Sequence, residues 1–223
     1  MYVTGYEQNV QSIYVAKLWV NGVAQNLTDG TRHATAISVY VTGSDVYVAG
    51  REYNAREVYI AKVWKNGIAQ ELTDGTLRAA ALSVFVSGSD AYVAGYDRDG
   101  DGAVAMLWKN GTAQNLTNGT NSAQASAVYV SGNDVYVTGY ERNTNSSSVA
   151  KIWKNGVAQN LTDGTKYAYP HSIFVSGNDV YVSGDEYNAQ GNRIAKVWKN
   201  GVAQNLSPEG TRYTNANSIF VVE

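Results

Sequence analysis

The chain has no cysteine, only two prolines and few charges, with Asp, Glu, Lys and Arg making up 16% of its 223 residues. Without cysteine there are no disulfides and no thiolate metal sites, and redox usage gives no reading of the compartment. The net charge of −2 comes with no basic stripe. That argues against phosphate-backbone binding, so nucleic acid is not an expected partner. No apolar run approaches the roughly 20 residues of a spanning helix, so no membrane partner is expected. The N-terminus, Met1-Tyr2-Val3-Thr4-Gly5, lacks the charge-then-apolar layout of a signal peptide and opens inside a strand pattern. Such a start fits either a fragment of a longer parent or a consensus-type engineered repeat.

What is abundant is glycine, at 22, and tyrosine, at 17. This is the profile of closely spaced strands joined by glycine turns, and helix-period apolar stretches are missing. Trp19, Trp64, Trp108, Trp153 and Trp198 recur every 44 or 45 residues, each opening a W-[KV]-N-G turn and a near-copy of V-A-Q-N-L-T. A period of about 40–45 residues built from short strands is that of a propeller blade. With no linker or composition shift, residues 1–223 read as a single domain. Followed along one copy, the pattern predicts strand A over 81–86, a Gly-Ser-Asp turn, strand B over 91–96, a variable loop, strand C over 104–108, an Asn-Gly type I′ turn and strand D over 112–116. Alternation places Ala16, Leu18 and Val20 on one face of strand C and Lys17 and Trp19 on the other. Each blade thus offers apolar surface to both neighbours.

The two ends complement each other. Residues 1–28 supply strands B, C and D without an A, and residues 216–222 are an A without a B. The expectation is an all-β, five-bladed β-propeller with four antiparallel strands per blade, closed by the C-terminal strand A joining the N-terminal strands, and monomeric. A swapped or open assembly is the rival. On its W-K-N-G-V-A-Q-N-L-T-D-G-T unit the whole chain resembles highly repetitive bacterial-type five-bladed β-propellers. It lacks the Trp-Asp pair of WD40 arrays and the paired glycines of kelch blades. In blade count and symmetry it is also similar to the tachylectin-type lectins, a family that binds N-acetylated sugars. That resemblance implies glycan binding without assigning any residue to it.

The five copies are an internal comparison, and their differences fall in two places. One is the B–C loops, at 8–13, 53–59, 98–103, 142–148 and 187–193. The other is the path from strand D into the next strand A. There the changing positions alternate with small residues: His33, Thr35, Ile37; Arg78, Ala80, Leu82; Ser122, Gln124, Ser126; Tyr167, Tyr169, His171; and Tyr213, Asn215, Asn217. Strand direction alternates, so both connections emerge at one end of each blade and the tight turns at the other. A surface rich in Tyr, Asn, Ser and Arg suits recognition. The candidate ligand-binding residues are His33, Thr35, Ile37, Arg78, Gln124, Tyr167, Tyr169, His171, Tyr213, Asn215 and Asn217. Drift of unconstrained loops is the plainer alternative.

Other chemistry is thinner. Asp97-Arg98-Asp99-Gly100-Asp101-Gly102 resembles D-x-D-x-D-G calcium loops, which makes Asp97, Asp99 and Asp101 a candidate calcium site and calcium the one candidate cofactor. A polar hairpin turn is the other reading. Glu7, Glu52, Glu141 and Glu186 at the end of strand B accompany Lys17, Lys62, Lys151 and Lys196 on strand C, as cross-strand pairs would. The acids after strand D recur in register as Asp29, Asp74, Asp163 and Glu209, with no asymmetric partner of the kind a glycosidase needs. The histidines lie in different copies, so no enzyme is expected. The sequons at Asn26, Asn115, Asn160 and Asn205 repeat with the blade and read as blade structure. The expected function is non-enzymatic recognition of a partner, protein or glycan, through the variable D–A and B–C end, with the fivefold variation favouring a composite protein epitope. The alternatives are glycan binding at quasi-equivalent clefts and an engineered repeat with no evolved ligand.

Overall fold

A computed structural model describes the chain except Asp101, Glu209, Glu223 and the side chain of Asp99. The described residues hold nineteen strands and no helix. Sheet 1 has β1 (Tyr2–Gln8), β2 (Tyr14–Val20) and β3 (Val23–Asn26). Sheet 2 has β4 (Ala34–Thr42), β5 (Asp45–Tyr53), β6 (Tyr59–Lys65) and β7 (Ile68–Glu71). Sheet 3 has β8 (Ala79–Ser87), β9 (Asp90–Asp99), β10 (Gly102–Lys109) and β11 (Thr112–Asn115). Sheet 4 has β12 (Ala123–Ser131), β13 (Asp134–Arg142), β14 (Ser148–Lys154) and β15 (Val157–Asn160). Sheet 5 has β16 (Ala168–Ser176), β17 (Asp179–Tyr187), β18 (Arg193–Lys199) and β19 (Val202–Asn205). Strands of a sheet are neighbours in chain order, as in an antiparallel meander. Two compact units result, Met1–Asp101 with Met106–Gln114, and Gly102–Ala105 with Asn115–Glu223.

Each Asn-Gly turn adopts the positive φ pair that type I′ demands, 49° to 52° at Asn21, Asn66, Asn110, Asn155 and Asn200 and 81° to 85° at the following glycines. Four of the tryptophans, Trp64, Trp108, Trp153 and Trp198, are fully inaccessible. Trp64 joins Ala34, Ala36 and Val48 of its own sheet to Ala16 and Leu18 of sheet 1. Trp198 likewise joins Ala168, Ile173 and Val182 to Ala127, Ala150 and Ile152 of sheet 4. The two faces of strand C are thus used as the alternation predicts. Trp19 is only half-buried.

Two features depart from the sequence reading. Strand A carries a β-bulge: Ala36 pairs with Gly50 and Ser38 with Ala49, which leaves Ile37 as the extra residue. Leu82, Ser126 and His171 occupy the same place in sheets 3, 4 and 5. A Cβ on Gly50, Gly95, Gly139 or Gly184 would lie 2.0 to 2.3 Å from a strand A carbonyl oxygen, so the bulge requires glycine opposite. The second departure is at the C-terminus. The strand A expected of residues 216–222 is not formed, and sheet 1 has three strands. The last copy reads S-P-E-G-T where the others read T-D-G-T or T-N-G-T, one residue longer. Accordingly Thr214 replaces the usual strand D threonine as acceptor for the Ala195 amide, at 2.8 Å, and Tyr213 bridges to Arg193. The chain after β19 is thereby drawn onto β18.

Candidate functional site

The two ends of each sheet are built differently. At the turn end, the Asn of the Asn-Gly turn accepts the backbone N–H of Val46, Ala91, Val135 or Val180 and donates to the Asp of the A–B turn. The same Asp, at 45, 90, 134 and 179, pairs with Lys65, Lys109, Lys154 or Lys199 at 2.6 to 2.9 Å. Each ammonium also lies 5.1 to 5.4 Å from the ring centroid of Tyr47, Tyr92, Tyr136 or Tyr181. These donors hold the four carboxyls below the usual carboxylate value, with Asn66 the largest cause at Asp45 and the lysine the largest at the other three. The recurrence of W-K-N-G in four copies is therefore structural; the sequence reading gave the Asn its place in the type I′ turn but missed the bonds made by the Lys and Asn side chains.

The strand D motif L-T has a similar cause. Thr28, Thr73, Thr117 and Thr162 accept the strand C amides of Ala16, Ala61, Ala105 and Ala150. The acids that follow, Asp29, Asp74 and Asp163, close turns by accepting both the N–H and the hydroxyl of Thr31, Thr76 and Thr165. The Thr backbone N–H is the main cause that lowers these three carboxyls. The Glu–Lys pairs form at 2.6 Å for Glu7–Lys17 and Glu52–Lys62 and at 3.1 Å for Glu141–Lys151, and Glu186 pairs with Lys196.

The loop end has its own anchor. Asn9, Asn54, Asn143 and Asn188 open the B–C loops, each accepting two backbone N–H groups two and four residues on. Asn9, Asn54 and Asn143 also donate to the carbonyls of Gly30, Gly75 and Gly164, tying the B–C loop to the D–A connection. Copy three has no such Asn. The candidate calcium loop stands in its place, and Asp101 and the Asp99 side chain lie outside the described residues; Asp97 pairs with Ala79.

The small residues between the variable positions are buried, with Ala34, Ala79, Ala81, Ala125 and Ala168 at or near zero exposure. Among the variable residues, His33, Thr35, Gln124, Tyr169 and His171 are half-buried and Ile37, Arg78, Tyr167, Tyr213, Asn215 and Asn217 are exposed. In the first unit Tyr6, Tyr14, His33, Tyr53 and Tyr59 form a continuous line of ring contacts, with centroids 3.8 to 5.8 Å apart. His33 Nδ1 accepts the Tyr14 amide at 3.1 Å. Arg51 extends the line, its Cζ lying 4.3 Å from the Tyr59 centroid. Burial, then contact with Tyr53, raises the Tyr59 phenol above its usual value. Beside this line opens a cleft of about 520 Å³, lined by Ile13, Arg32, His33, Tyr53, Asn54 and Glu57 among others. The sequence comparison had put Tyr53 and Tyr59 in the variable B–C loop at the same end as His33, but it had singled out neither Tyr6 nor Tyr14 of the line.

In the second unit His171 and Tyr213 meet around Asp185. That carboxylate is fully inaccessible and takes Arg193 Nε and Nη2 at 2.6 Å each and His171 Nε2 at 2.7 Å. Arg193 Nη1 donates to the Tyr213 hydroxyl at 2.9 Å. Burial pushes the Asp185 carboxyl up, but the hydrogen bonds and charges of His171 and Arg193 outweigh it and leave the group below its usual value. Tyr167 packs edge-on against Tyr187 and Tyr169 against Tyr140. Asn215 donates to Asn217 at 2.7 Å.

No known family pattern and no curated protein sequence matches the chain. Solved structures do. A putative TolB from Agrobacterium tumefaciens superposes with a TM-score of 0.56 at 11% identity, over 93% of this chain and 80% of that one. The subtype N10 neuraminidase-like protein of A/little yellow-shouldered bat/Guatemala/060/2010 gives 0.55 at 13% identity, over 79% of this chain and 60% of that one. The neuraminidase-like protein from A/bat/Guatemala/164/2009 gives 0.53 at 13%, over 78% and 53%. The chain therefore spans little more than half the length of the neuraminidase-like proteins. At these identities the likeness is one of fold: an all-β, propeller-type chain of five antiparallel sheets.

Proposed function

We propose that the chain is a closed five-bladed propeller acting as a non-enzymatic recognition module, engaging a protein or glycan partner through the loop ends of its sheets. One observation carries the reading. The invariant turn end is accounted for by hydrogen bonds and ion pairs internal to each sheet, whereas the variable loop end presents half-buried and exposed Tyr, His, Arg and Asn on a backbone that its asparagines fix.

Three observations support closure by residues 216–222. Gly5 is kept although a Cβ there would meet only the Trp19 side chain, at 3.3 Å, while its four counterparts each face a strand A carbonyl. Phe220 packs on Phe174 at 5.0 Å, as Phe174 does on Tyr129 at 5.1 Å and Phe85 on Tyr40 at 4.7 Å. Tyr2 and Val3 of β1 and Phe220 and Val222 are exposed apolar residues on segments with no strand partner on that side.

The reading is tested by placing a photo-crosslinking phenylalanine analogue at Tyr167 or Tyr213 on the loop end and at Val157 or Val202 on the turn end. Partner adducts confined to the loop-end positions, with glycan-array signals lost in Tyr167→Ala and Tyr213→Ala, support it. Adducts formed equally at both ends contradict it.

A further inference from the structure

The loop ends of sheets 2 and 5 hold the same strand positions with opposite charge. In sheet 5 the residue after the bulge glycine, Asp185, is a carboxylate closed in by Arg193 of the neighbouring strand and His171 of the bulge. In sheet 2 the residue after Gly50 is Arg51, the strand C counterpart of Arg193 is Tyr59, and the bulge residue is Ile37. Arg51 thus sits where sheet 5 houses an acid and the other three copies carry Tyr6, Tyr96 and Tyr140, and among the described residues no carboxylate pairs with it. Glu52, its neighbour in sequence, points to the other face of β5 and is taken by Lys62.

Two polar atoms at that spot are left unsatisfied. The Arg51 Nε atom is buried without an acceptor, and the Thr35 hydroxyl, whose residue pairs with Arg51 in register, is buried without any partner. Buried polar atoms are nearly always satisfied. Among the described residues Ser148, Ser183 and the indoles of Trp64, Trp108, Trp153 and Trp198 are orphans too, but Thr35 and Arg51 bring two together on residues paired in register, and that pairing marks a place for an outside group. That group needs acceptor oxygens for a guanidinium and for a hydroxyl. A carboxylate supplies both, in the fork geometry that Asp185 shows with Arg193 Nε and Nη2. The rest of the ligand would meet the ring line of Tyr59, Tyr53 and His33 and the cleft beside it, whose polar side chains include Arg32 and Glu57. Tyrosine faces with polar groups around them match a saturated ring carrying hydroxyls, whose C–H face packs on the aromatic and whose hydroxyls find donors and acceptors.

We propose that the loop end of sheet 2 binds a carboxylate carried on a sugar ring, a uronic acid, with Arg51 and Thr35 holding the carboxylate and Tyr59, Tyr53 and His33 the ring. This deepens the loop-end reading and depends on it for the location of the surface. A free carboxylate and a neutral sugar separate its two halves.

The test is an NMR titration of the chain with D-glucuronate, D-glucose and acetate. D-glucuronate should bind at least tenfold more tightly than D-glucose or acetate, with shifts confined to residues 31–35 and 51–59. A charge-assisted hydrogen-bond pair is worth roughly a tenfold to hundredfold loss of affinity on removal. Arg51→Gln should therefore bring glucuronate down to the level of glucose, and Thr35→Val should weaken it severalfold. Arg51→Lys keeps the charge and serves if Arg51→Gln fails to fold; it should lose most of the preference because it cannot fork. Equal binding of glucuronate and glucose, or a preference that survives Arg51→Gln and Arg51→Lys, overturns the proposal. Glucuronate shifts that map to the loop ends of other sheets overturn it while leaving the loop-end reading standing, and shifts at the turn ends overturn both.

Discussion

Replacing Arg193 by alanine should destabilise the fold more than almost any other single change at the loop end. Asp185 has no access to solvent, and three of its contacts, at 2.6, 2.6 and 2.7 Å, come from Arg193 and His171. Without Arg193 two of the three disappear and a buried anion is left with one histidine. Breaking a buried pair from one side costs about 3–5 kcal/mol. For a chain of this size each kcal/mol moves the melting temperature by about 2–4 °C, so the loss should be roughly 6–20 °C at pH 7. The sign of the pH dependence follows from the shift. In the native chain the Asp185 carboxyl is held below its unfolded value, so its stabilisation is fully present above the unfolded carboxylate pKa and disappears as pH falls through the lowered folded one. In Arg193→Ala, burial is left with less to oppose it, the carboxyl rises, and mild acid neutralises it, so the deficit should shrink between pH 7 and pH 5. Removing both ends, with Asp185→Leu and Arg193→Met together, should restore most of the stability. Calorimetric melts of the three chains at both pH values decide it. A deficit under about 3 °C, a deficit indifferent to pH, or a double variant as unstable as the single one would refute the reasoning.

Further outcomes are expected from the repeat itself. Trp108→Ala or Trp153→Ala should cost about 3–5 kcal/mol and Trp19→Ala clearly less, because Trp19 is already half-buried; urea melts of the variants rank them. Gly139→Ala should unfold or strongly destabilise sheet 4, since its Cβ would lie 2.0 Å from the Gln124 carbonyl oxygen. Asn143→Ala should cost about 1–3 kcal/mol by orphaning the amides of Asn145 and Ser147 and the Gly164 carbonyl, and hydrogen exchange should speed up in that B–C loop alone. Because the carboxyls of Asp29, Asp45, Asp74, Asp90, Asp134, Asp163 and Asp179 are all held low, stability should be level from pH 8 to about pH 5. It should then fall steadily in stronger acid, a profile read by melting temperature against pH.

Much of the fold could be read from the repeat because each signal there is local. The Asn-Gly pair dictates its own turn, alternation about the tryptophan assigns both faces of strand C, and the Glu–Lys pairs follow from cross-strand register. Strand A was less legible. Its bulge depends on a glycine in a different strand, so Ile37 and His171 looked like ordinary members of an alternating run when they are the inserted residues. The Asp185 cluster was hidden for a related reason: its acid, its arginine and its histidine come from three strands, and only the histidine fell among the varying D–A positions. Tyr59 fell at the end of the variable B–C loop 53–59, whereas Arg51 escaped notice because it lies within a strand that is otherwise a near-copy. The terminal segment shows the opposite limit. Its strand A pattern was plain in sequence, but one extra residue after β19 and the attachment of Thr214 to β18 redirect the chain there.

The proposal that residues 216–222 complete sheet 1 can be tested in a chain that has no cysteine of its own. By the register of β16 on β17, Ile219 belongs opposite Val3, and antiparallel partners fall within the Cα separation a disulfide tolerates. Val3→Cys with Ile219→Cys should oxidise within one chain, giving a monomer of faster gel mobility that reverts on reduction. Disulfide-linked dimers, or two thiols that remain free under the same oxidant, would contradict closure.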